Sequence, residues 1–242
     1  MIKGIIFDLG GTLVQFTGNQ ETVIREGAEA MAGWYLKKKH IKLHEEALIE
    51  AFIDERTAAL DASRQTQTTV LAGQCLQQAL TKIDAPKQAF ALIEAAIKVY
   101  FEPEESAWKP FSDTIDALKT LQAKHYRLGL YSNATDDLFV QRLVNQCYLR
   151  PYLSPTFSSA AWGWCKPRPE PFLLIADRWQ LTPQEIVMVG DTVDADILGA
   201  QNVGMPSILI SRDGISVQSS NDIQPTFVCD GLLDIAELVE RC

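Results

Sequence analysis

The sequence predicts a doubly wound α/β fold, in which a mostly parallel sheet carries helices on both faces. Residues Ile2 to Phe7 are typical of a short buried strand, and the acid Asp8 follows this strand directly. After Pro110, strand patterns alternate with helix patterns as far as the C-terminal helix. The intervening residues 17–105 show helix patterns and no strand pattern. These observations together predict a Rossmann-like core with an inserted all-helical cap domain.

The composition of the chain limits the number of domains and the kinds of partner that can be expected. The chain has 242 residues, 47% of them hydrophobic, which suffices for one large domain or a core with a smaller partner. Its formal net charge of −9 argues against nucleic acid and anionic membrane surfaces as partners. No stretch predicts a transmembrane helix, and the apolar run before Asp8 is too short for a signal peptide. The five cysteines are scattered, so reduced thiols in a cytoplasmic protein are expected; the oligomeric state stays open between monomer and dimer.

The inserted segment predicts a bundle of helices, because it is rich in Ala, Leu, Glu, Gln and Lys. Asp84 and Pro86 fit the start of the last of these helices, and Glu102-Pro103 fits its stop. The helices are expected at residues 21–39, 43–62, 70–82 and 87–101. We expect residues 1–16 and 106–242 to form the core and residues 17–105 to form the cap.

The second part of the core alternates between strands and helices, which predicts a mostly parallel sheet. Ser112 or Asp113 lies near the N-terminal cap of the first helix in this part. The expected strands are residues 126–131, 155–159, 185–190, 206–210 and 227–229, and the expected helices are residues 112–124, 136–147, 169–179, 194–203 and 231–240.

Residues able to carry chemistry lie at the ends of the predicted strands. They are Asp8, Ser132, Lys166, and Asp191 with Asp196. In open α/β sheets, ligands bind at the carboxyl ends of the strands. An acid such as Asp8 in that position is a nucleophile or a metal ligand, and the structural alternative is a turn-forming aspartate.

Three carboxylates at one mouth of the sheet repel each other. At about 4 Å and an effective dielectric constant of about 20, each pair costs roughly 4 kcal/mol. The cluster therefore needs cations, which a divalent ion and the Lys166 ammonium would supply. Hard oxygen ligands and retained waters favour magnesium as the ion.

Four segments of the core share their order and spacing with the motifs of a known family. They are Phe7-Asp8-Leu9-Gly10-Gly11-Thr12-Leu13, Tyr131-Ser132-Asn133, Lys166-Pro167-Arg168-Pro169-Glu170-Pro171-Phe172 and Gly190-Asp191-Thr192-Val193-Asp194-Ala195-Asp196-Ile197. Each segment alone is a weak pattern, but the four together are specific. The chain resembles the haloacid dehalogenase (HAD) superfamily of hydrolases over residues 1–16 and 106–242, with the cap inserted after the first strand.

The resemblance implies a catalytic nucleophile and a magnesium site. It makes Asp8 the nucleophile and a metal ligand, and Asp191 a direct metal ligand. The carbonyl oxygen of Gly10 would be a further ligand, and Asp196 would support the ion through water.

The resemblance also implies a site for the phosphoryl group. The Ser132 hydroxyl and the backbone amide of Asn133 would hold phosphoryl oxygens, and Lys166 would neutralise Asp8 and the incoming phosphate. The implied activity is Mg²⁺-dependent hydrolysis of a small phosphorylated metabolite through an aspartyl-phosphate intermediate.

Gly10 departs from the family pattern, because phosphatases of the family usually carry a second aspartate two residues after the nucleophile. That residue acts as a general acid and base, which is typically worth about 10²–10⁴ in rate. Three explanations stay open. The substrate has a leaving group that needs little protonation, such as an acyl or anomeric phosphate; a cap residue or the substrate supplies the proton; or the protein binds phosphoryl ligands with little turnover.

A second family activity also lacks that aspartate. A metal-independent 2-haloacid dehalogenase attacks carbon with its aspartate, but Asp191 and Asp196 would repel a haloacid carboxylate. A low-activity phosphoryl-binding or regulatory protein is the remaining alternative.

Two further pairs of residues stay undecided between a site role and a structural role. Trp162 and Trp164 precede Lys166 and either wall the site or pack under the loop. Arg25 and Arg56 lie in the inserted helices and are interpreted as surface residues, with contact to a substrate anion as the alternative.

Overall fold

The computed structural model describes residues 1–39, 44–86, 88–212 and 223–242. Its strands are β1 Gly4–Phe7, β2 Val14–Phe16, β3 Trp108–Pro110, β4 Arg127–Ser132, β5 Thr156–Ser158, β6 Ile186–Gly190, β7 Ser207–Ile210 and β8 Phe227–Cys229. In these ranges, six strands form one parallel sheet in the order β5-β4-β1-β6-β7-β8. Strands β2 and β3 form a separate antiparallel ribbon.

The helices follow the predicted alternation. They are α1 Gln20–Lys39, α2 Glu45–Thr66, α3 Ala72–Lys82, α4 Phe90–Ala107, α5 Thr114–Ala123, α6 Asp137–Gln146, α7 Ser159–Trp162, α8 Pro169–Trp179, α9 Leu198–Asn202 and α10 Ile235–Arg241. A turn of π-helix, Val193–Ile197, leads into α9. Helices α1 to α4 lie between the two strands of the ribbon in the chain, and the other helices alternate with strands of the sheet. The predicted α/β class is confirmed.

The sheet is covered on both faces, as the alternating side chains of β1 demonstrate. Ile5 and Phe7 pack in one apolar cluster with Leu118 of α5, whereas Ile6 packs in another cluster with Phe172 of α8. All these side chains are buried. Burying a side chain of this size contributes about 1.5–3 kcal/mol, so the central strand is stabilised from both layers.

Helix α4 is longer than predicted, and the predicted stop at Glu102-Pro103 is wrong. The helix runs through Pro103 to Ala107 although a proline inside a helix removes one backbone hydrogen bond. Tertiary contacts on both sides of the proline offset this loss. The Phe101 ring stacks on Phe139 of α6 at 4.4 Å, and Glu105 forms an ion pair with Arg142 at 2.5 Å.

The expected start of α4 at Asp84 and Pro86 is also wrong, because the helix begins at Phe90. Asp84 has a left-handed backbone with φ of 55° and its N–H donates to the Thr81 carbonyl, so it ends α3 instead. The predicted first residues of two cap helices, 43 and 87, lie outside the described residues.

Two short elements were not predicted: the β2–β3 ribbon and helix α7. The ribbon pairs Val14 with Pro110 and Phe16 with Trp108, at the point where the chain leaves the sheet for the inserted helices and returns. Its strands have three residues each, which is too few for a periodic pattern. The ribbon brings Trp108 to the sheet edge that carries Asp8.

Two further observations concern membrane-spanning helices and the state of the cysteines. Among the helices of the described residues, none combines the length and the apolar character that crossing a bilayer requires. All five cysteines are free, and four of them are buried.

Candidate active site

The register of the sheet brings the predicted strand ends together. Strand β1 lies between β4 and β6, and Phe7 pairs with Leu130 on one side and Val189 on the other. Asp8, the next residue, donates its backbone N–H to the Val189 carbonyl at 2.9 Å. The residues that follow β1, β4 and β6 therefore share one edge of the sheet, as the alternation of strands and helices predicts.

Lys166 lies at the centre of this edge and is 5% exposed. Its Nζ atom is 2.5 Å from Oδ1 of Asp8 and 2.7 Å from Oδ1 of Asp196, and it donates to the Tyr131 carbonyl at 2.9 Å. Burial opposes the charge of the ammonium, but the two carboxylates outweigh burial and raise the pKa of Lys166. The side chain is therefore a fixed positive charge at the end of β1.

The structure brings Asp8, Asp191 and Asp196 into one cluster, in which one carboxylate oxygen from each lies within 4.8 Å of the others. Burial raises the pKa of Asp8 to about 7, and the negative charges of Asp196 and Asp191 add to this effect while Lys166 opposes it. One ammonium thus does not balance three carboxylates. The donor set consists of hard oxygens around a shared space, which fits a magnesium ion.

Glycines make room for these acids. A Cβ atom on Gly190 would lie 2.2 Å from Oδ2 of Asp196, and one on Gly11 would lie 2.0 Å from Oδ2 of Asp191. Gly11 also has a φ of 80°, in the left-handed region that favours glycine. Asp196 accepts a hydrogen bond from the Thr192 N–H at 3.0 Å, which orients its carboxylate toward the cluster.

Ser132 is the last residue of β4 and Asn133 comes next, so both lie at the same edge of the sheet. Ser132 is buried and pairs in register with Ser158 of β5. The Asn133 side chain bonds to the backbone of Lys166 on both sides: Oδ1 accepts from the N–H and Nδ2 donates to the carbonyl. This positioning contact was not predicted, because a sequence does not indicate which backbone an amide side chain will meet.

Gly10 lies against an aromatic side chain from the ribbon. A Cβ atom at this position would lie 3.0 Å from Cη2 of Trp108 and 3.3 Å from its Cζ3. The indole thus lies in the space into which a side chain at position 10 would extend. Sequence reasoning missed Trp108, since the contact spans almost one hundred residues and depends on the unpredicted ribbon.

The inserted helices contact both loops that carry site residues. In the loop after α2, the Thr69 N–H donates to the Gly163 carbonyl at 2.9 Å, and the Cys165 N–H donates to the Gln67 carbonyl at 3.0 Å. At the start of α3, the Ala72 N–H donates to the Thr135 carbonyl at 2.9 Å. The insertion is therefore docked beside Lys166 on one side and beside Asn133 on the other.

The undecided tryptophans are both partly exposed. The Trp162 ring packs edge-on against Phe157 of β5 at 5.3 Å. Trp164 pairs through its backbone with Thr68 of the insertion, and its carbonyl accepts from the Tyr131 hydroxyl at 2.5 Å. Trp164 thus belongs to the contact between the insertion and the Lys166 loop.

The two arginines of the inserted helices, Arg25 and Arg56, have different surroundings. Arg25 is a surface residue as predicted, and it forms ion pairs with Glu29, Glu46 and Glu50. For Arg56 the surface interpretation is wrong. Its guanidinium lies over the ring of Tyr100 at 4.8 Å, and its Nη1 atom is buried with no hydrogen-bond partner in the part of the chain that the structure describes. The aromatic ring provides a favourable partly buried environment for the cation.

Comparison with known proteins extends these observations. The chain is 29% identical to phosphoglycolate phosphatase from Shigella dysenteriae serotype 1 (strain Sd197), over 93% of this chain and 92% of that protein. It is 25% identical to glyceraldehyde 3-phosphate phosphatase from Methanopyrus kandleri, over 100% of this chain and 98% of that protein. The crystal structure of 2-haloacid dehalogenase from Pseudomonas syringae pv. Tomato DC3000 superposes with a TM-score of 0.73 at 24% identity, covering 100% of this chain and 99% of that one.

The structural likeness shows a shared fold, and the family assignment comes from the sequence. The model of the haloacid dehalogenase-like hydrolases matches residues 2–204, which include every site residue described above. The chain belongs to the haloacid dehalogenase-like hydrolase family.

Proposed function

We propose that the protein is a Mg²⁺-dependent phosphatase that hydrolyses a small phosphorylated metabolite through an aspartyl-phosphate intermediate. The observation that carries this proposal is the buried Lys166 ammonium, 2.5 Å from Asp8 and 2.7 Å from Asp196. A carboxylate beside a fixed cation, in a cluster that still lacks positive charge, is suited to receive a phosphoryl group. Phosphoryl transfer depends almost entirely on positioning and charge stabilisation.

In the first step, a carboxylate oxygen of Asp8 attacks phosphorus. The bond between phosphorus and the leaving oxygen breaks, and its electron pair departs with that oxygen. Lys166 offsets the negative charge that Asp8 and the phosphoryl group bring together. We assign the Ser132 hydroxyl and the Asn133 backbone amide to the phosphoryl oxygens, since Ser132 ends β4 and Asn133 follows it at the same sheet edge.

In the second step, water attacks phosphorus of the aspartyl phosphate. The bond from phosphorus to the Asp8 oxygen breaks, which restores the carboxylate and releases inorganic phosphate that carries the oxygen and both protons of the water. Asp8 is only 8% exposed, so the intermediate would form in a site that bulk water enters poorly. Exclusion of bulk water strengthens the charge interactions within the site.

Magnesium would be held by Asp8, Asp191 and the carbonyl oxygen of Gly10, with Asp196 acting through water. The close approach of the three carboxylates supports this assignment. Bound there, the ion would supply Lewis-acid stabilisation of the charge that develops on the phosphoryl oxygens.

The inserted helices support a small substrate. We propose that residues 17–105 act as a cap over a core of residues 1–16 and 106–242, since backbone bonds tie the insertion to the Gly163 and Thr135 loops. Such a cap admits a metabolite more readily than a folded phosphoprotein. The relatives named above act, by their names, on phosphoglycolate and glyceraldehyde 3-phosphate, and both are small phosphorylated compounds.

One observation favours a second candidate. Gly10 supplies no second carboxyl, which is compatible with a 2-haloacid dehalogenase as well as with a phosphatase. The carboxylate of a haloacid would, however, enter beside Asp191 and Asp196, and each such pair of charges at about 4 Å costs roughly 4 kcal/mol at an effective dielectric constant of 20.

A substrate panel distinguishes these candidates. Purified protein is assayed for phosphate release from small phosphorylated metabolites and 4-nitrophenyl phosphate, with Mg²⁺ or with chelator, and for halide release from 2-chloropropionate. We expect phosphate release that requires Mg²⁺ and that Asp8→Asn abolishes, while Asp194→Asn, at an exposed acid outside the cluster, retains it. Halide release that is insensitive to chelator would establish the dehalogenase instead. Release of neither phosphate nor halide would indicate a protein that binds phosphoryl ligands without turnover.

A further inference from the structure

We propose that the Trp108 indole occupies the space that a general-acid carboxyl at position 10 would need. The enzyme would then select phosphates whose leaving group departs without a proton from the protein. This inference rests on the proposed phosphatase activity and deepens it, because it names the substrate class. The class comprises phosphates of acidic hydroxyl groups, such as acyl and anomeric phosphates, rather than simple alkyl phosphates.

The first step of the inference is steric. A Cβ atom at position 10 would meet three consecutive atoms of the indole edge: Cη2 at 3.0 Å, Cζ3 at 3.3 Å and Cζ2 at 3.8 Å. The nearest of these is already tighter than an ordinary carbon–carbon contact of about 3.5–4.0 Å. A side chain at this position would require the indole to shift by a few tenths of an ångström, and a carboxyl group turned toward the ring would overlap it. Glycine at this position and tryptophan at position 108 are therefore a matched pair.

The second step is that the indole is held in place. Trp108 pairs with Phe16 in the β2–β3 ribbon, and the Phe16 ring packs edge-on against it at 5.2 Å. On its other edge, Nε1 donates to Oε1 of Glu104 in α4 at 3.4 Å. The indole thus contacts the ribbon, the last turns of α4 and Gly10 at once, and turning it away would break all three contacts.

The third step is chemical. Glycine at position 10 has no side chain that could protonate the leaving oxygen, and the indole fills the space beside it. When Asp8 attacks phosphorus, the leaving oxygen must accept the electron pair of the broken bond without help. Protonation at this stage is typically worth about 10²–10⁴ in rate, so its absence penalises basic leaving groups and spares acidic ones.

The contact between Trp108 and Glu104 defines a rival explanation. The Glu104 carboxyl is half-buried and hydrogen-bonded to the indole, so it is a candidate to donate a proton from the cap in place of residue 10. The two explanations differ in what Glu104→Gln does. If Glu104 donates the proton, the variant loses activity selectively on esters with basic leaving groups; if the indole merely fills the space, the dependence on the leaving group does not change.

The test measures kcat/KM with Mg²⁺ for 4-nitrophenyl, phenyl and butyl phosphate, in the wild type and in W108A, G10D, G10D/W108A and E104Q. We expect the wild type to hydrolyse phenyl phosphate at least about 10²-fold more slowly than 4-nitrophenyl phosphate, since protonation is missing. W108A should keep this ratio. G10D/W108A, in which the carboxyl has room, should gain about 10²–10⁴-fold on phenyl and butyl phosphate relative to W108A.

The single variant G10D should gain nothing on these esters, because the indole blocks its carboxyl. If G10D does not fold, which a thermal melt reveals, the comparison of W108A with G10D/W108A still decides. An equal gain in G10D and the double variant, no gain in the double variant, or a steeper leaving-group dependence in E104Q would each reject the role of Trp108. These outcomes leave the phosphatase proposal intact as long as Asp8→Asn is inactive. Equal hydrolysis by Asp8→Asn would reject both.

Discussion

The Asn133 side chain holds the backbone of Lys166 from both sides. Oδ1 accepts a hydrogen bond from the Lys166 N–H at 2.8 Å, and Nδ2 donates to the Lys166 carbonyl at 3.1 Å. The two residues are 33 positions apart in the chain and follow different strands. The Asn133 side chain therefore fixes the position of the Lys166 backbone, from which the ammonium extends to Asp8. This role is separate from any contact that the Asn133 backbone amide makes with a phosphoryl group.

Asn133→Ala should impair catalysis while leaving the proposed contact of the backbone amide in place. A displacement of about 1 Å of a positioned group costs about 10²-fold in rate, so we expect kcat to fall by roughly that factor. The matched control is Asn145→Ala on the surface of α6, which removes a side-chain acceptor from the exposed Arg150. Wild-type kcat in Asn133→Ala, measured with a good aryl phosphate, would contradict this role.

The acidic cluster predicts a pH-dependent affinity for magnesium that can be measured without substrate. Burial, together with Asp196 and Asp191, raises the pKa of Asp8 to about 7, so a proton competes with the cation below neutral pH. Affinity for Mg²⁺ should therefore rise with pH up to about 7 and change little above it. Titration calorimetry and the shift of Tm with added Mg²⁺ measure this dependence.

Variants at two neighbouring acids test whether the cluster is the binding site. Asp191→Asn removes one of the three converging carboxylates and should abolish the Tm shift. Asp194→Asn removes an exposed acid of the same loop and should retain it. Equal Tm shifts in both variants would assign the magnesium site to other residues.

The residues that meet at the sheet edge could be predicted from the sequence, because the order of strands and helices determines where each of them lies. Asp8, Asp191 and Lys166 follow elements whose order dictates the edge they share, so their convergence follows from the alternation of strands and helices. Asp196 lies in the turn of π-helix that follows Asp191, so it reaches the same place. Local patterns in four separate segments were sufficient for these contacts.

The remaining contacts of the site depend on packing that no local pattern encodes. Trp108 reaches Gly10 through a ribbon of three-residue strands, and Thr69 pairs with Gly163 through two loops. Each contact joins distant parts of the chain through elements too short to show periodicity. Helix α4 passing through Pro103 has the same origin, because stacking of Phe101 on Phe139 overrides a local stop pattern.

Asp113 should make the stability of the core depend on pH. It is the N-cap residue of α5, as the sequence predicts, and its carboxylate accepts hydrogen bonds from Arg212 at 3.0 and 3.1 Å and from the Leu232 N–H at 2.7 Å rather than from the first turn of the helix. Burial pushes the pKa of Asp113 upward, but these bonds outweigh burial and lower the pKa below its ordinary value. A carboxyl with a lowered pKa stabilises the fold above its unfolded-state pKa, and this contribution is lost as pH falls through the folded-state value.

Asp113→Asn should therefore lower the free energy of unfolding at pH 7 by about 1.5–3 kcal/mol, the range for hydrogen bonds to a charged group. The difference from wild type should shrink in acid below the ordinary pKa of an aspartate. Asp116→Asn is the control, since Asp116 lies on the same helix with its side chain 75% exposed and 3.6 Å from Lys119. Urea unfolding at pH 7 and pH 3 measures both, and a difference that persists unchanged at pH 3 would contradict the ionic origin.

Substitutions at Gly11 and Gly163 can distinguish the effect of backbone strain from the effect of steric exclusion in the site. Both have left-handed backbones, with φ of 80° and 82°. A Cβ atom on Gly11 would lie 2.0 Å from Oδ2 of Asp191, whereas one on Gly163 would meet no atom of the described residues within 4 Å. Alanine at either position incurs a similar conformational penalty of about 1–2 kcal/mol, but only at position 11 does it displace a carboxylate of the cluster.

Gly11→Ala and Gly163→Ala should thus lose similar amounts of stability and differ in function. We expect Gly11→Ala to lose the Mg²⁺-dependent Tm shift and at least about 10²-fold in kcat/KM, because Asp191 must move away from the shared space. Gly163→Ala should keep both, since its new methyl group points into open space. If the two variants lose activity in parallel with stability, strain in the loops and not the position of Asp191 limits the reaction.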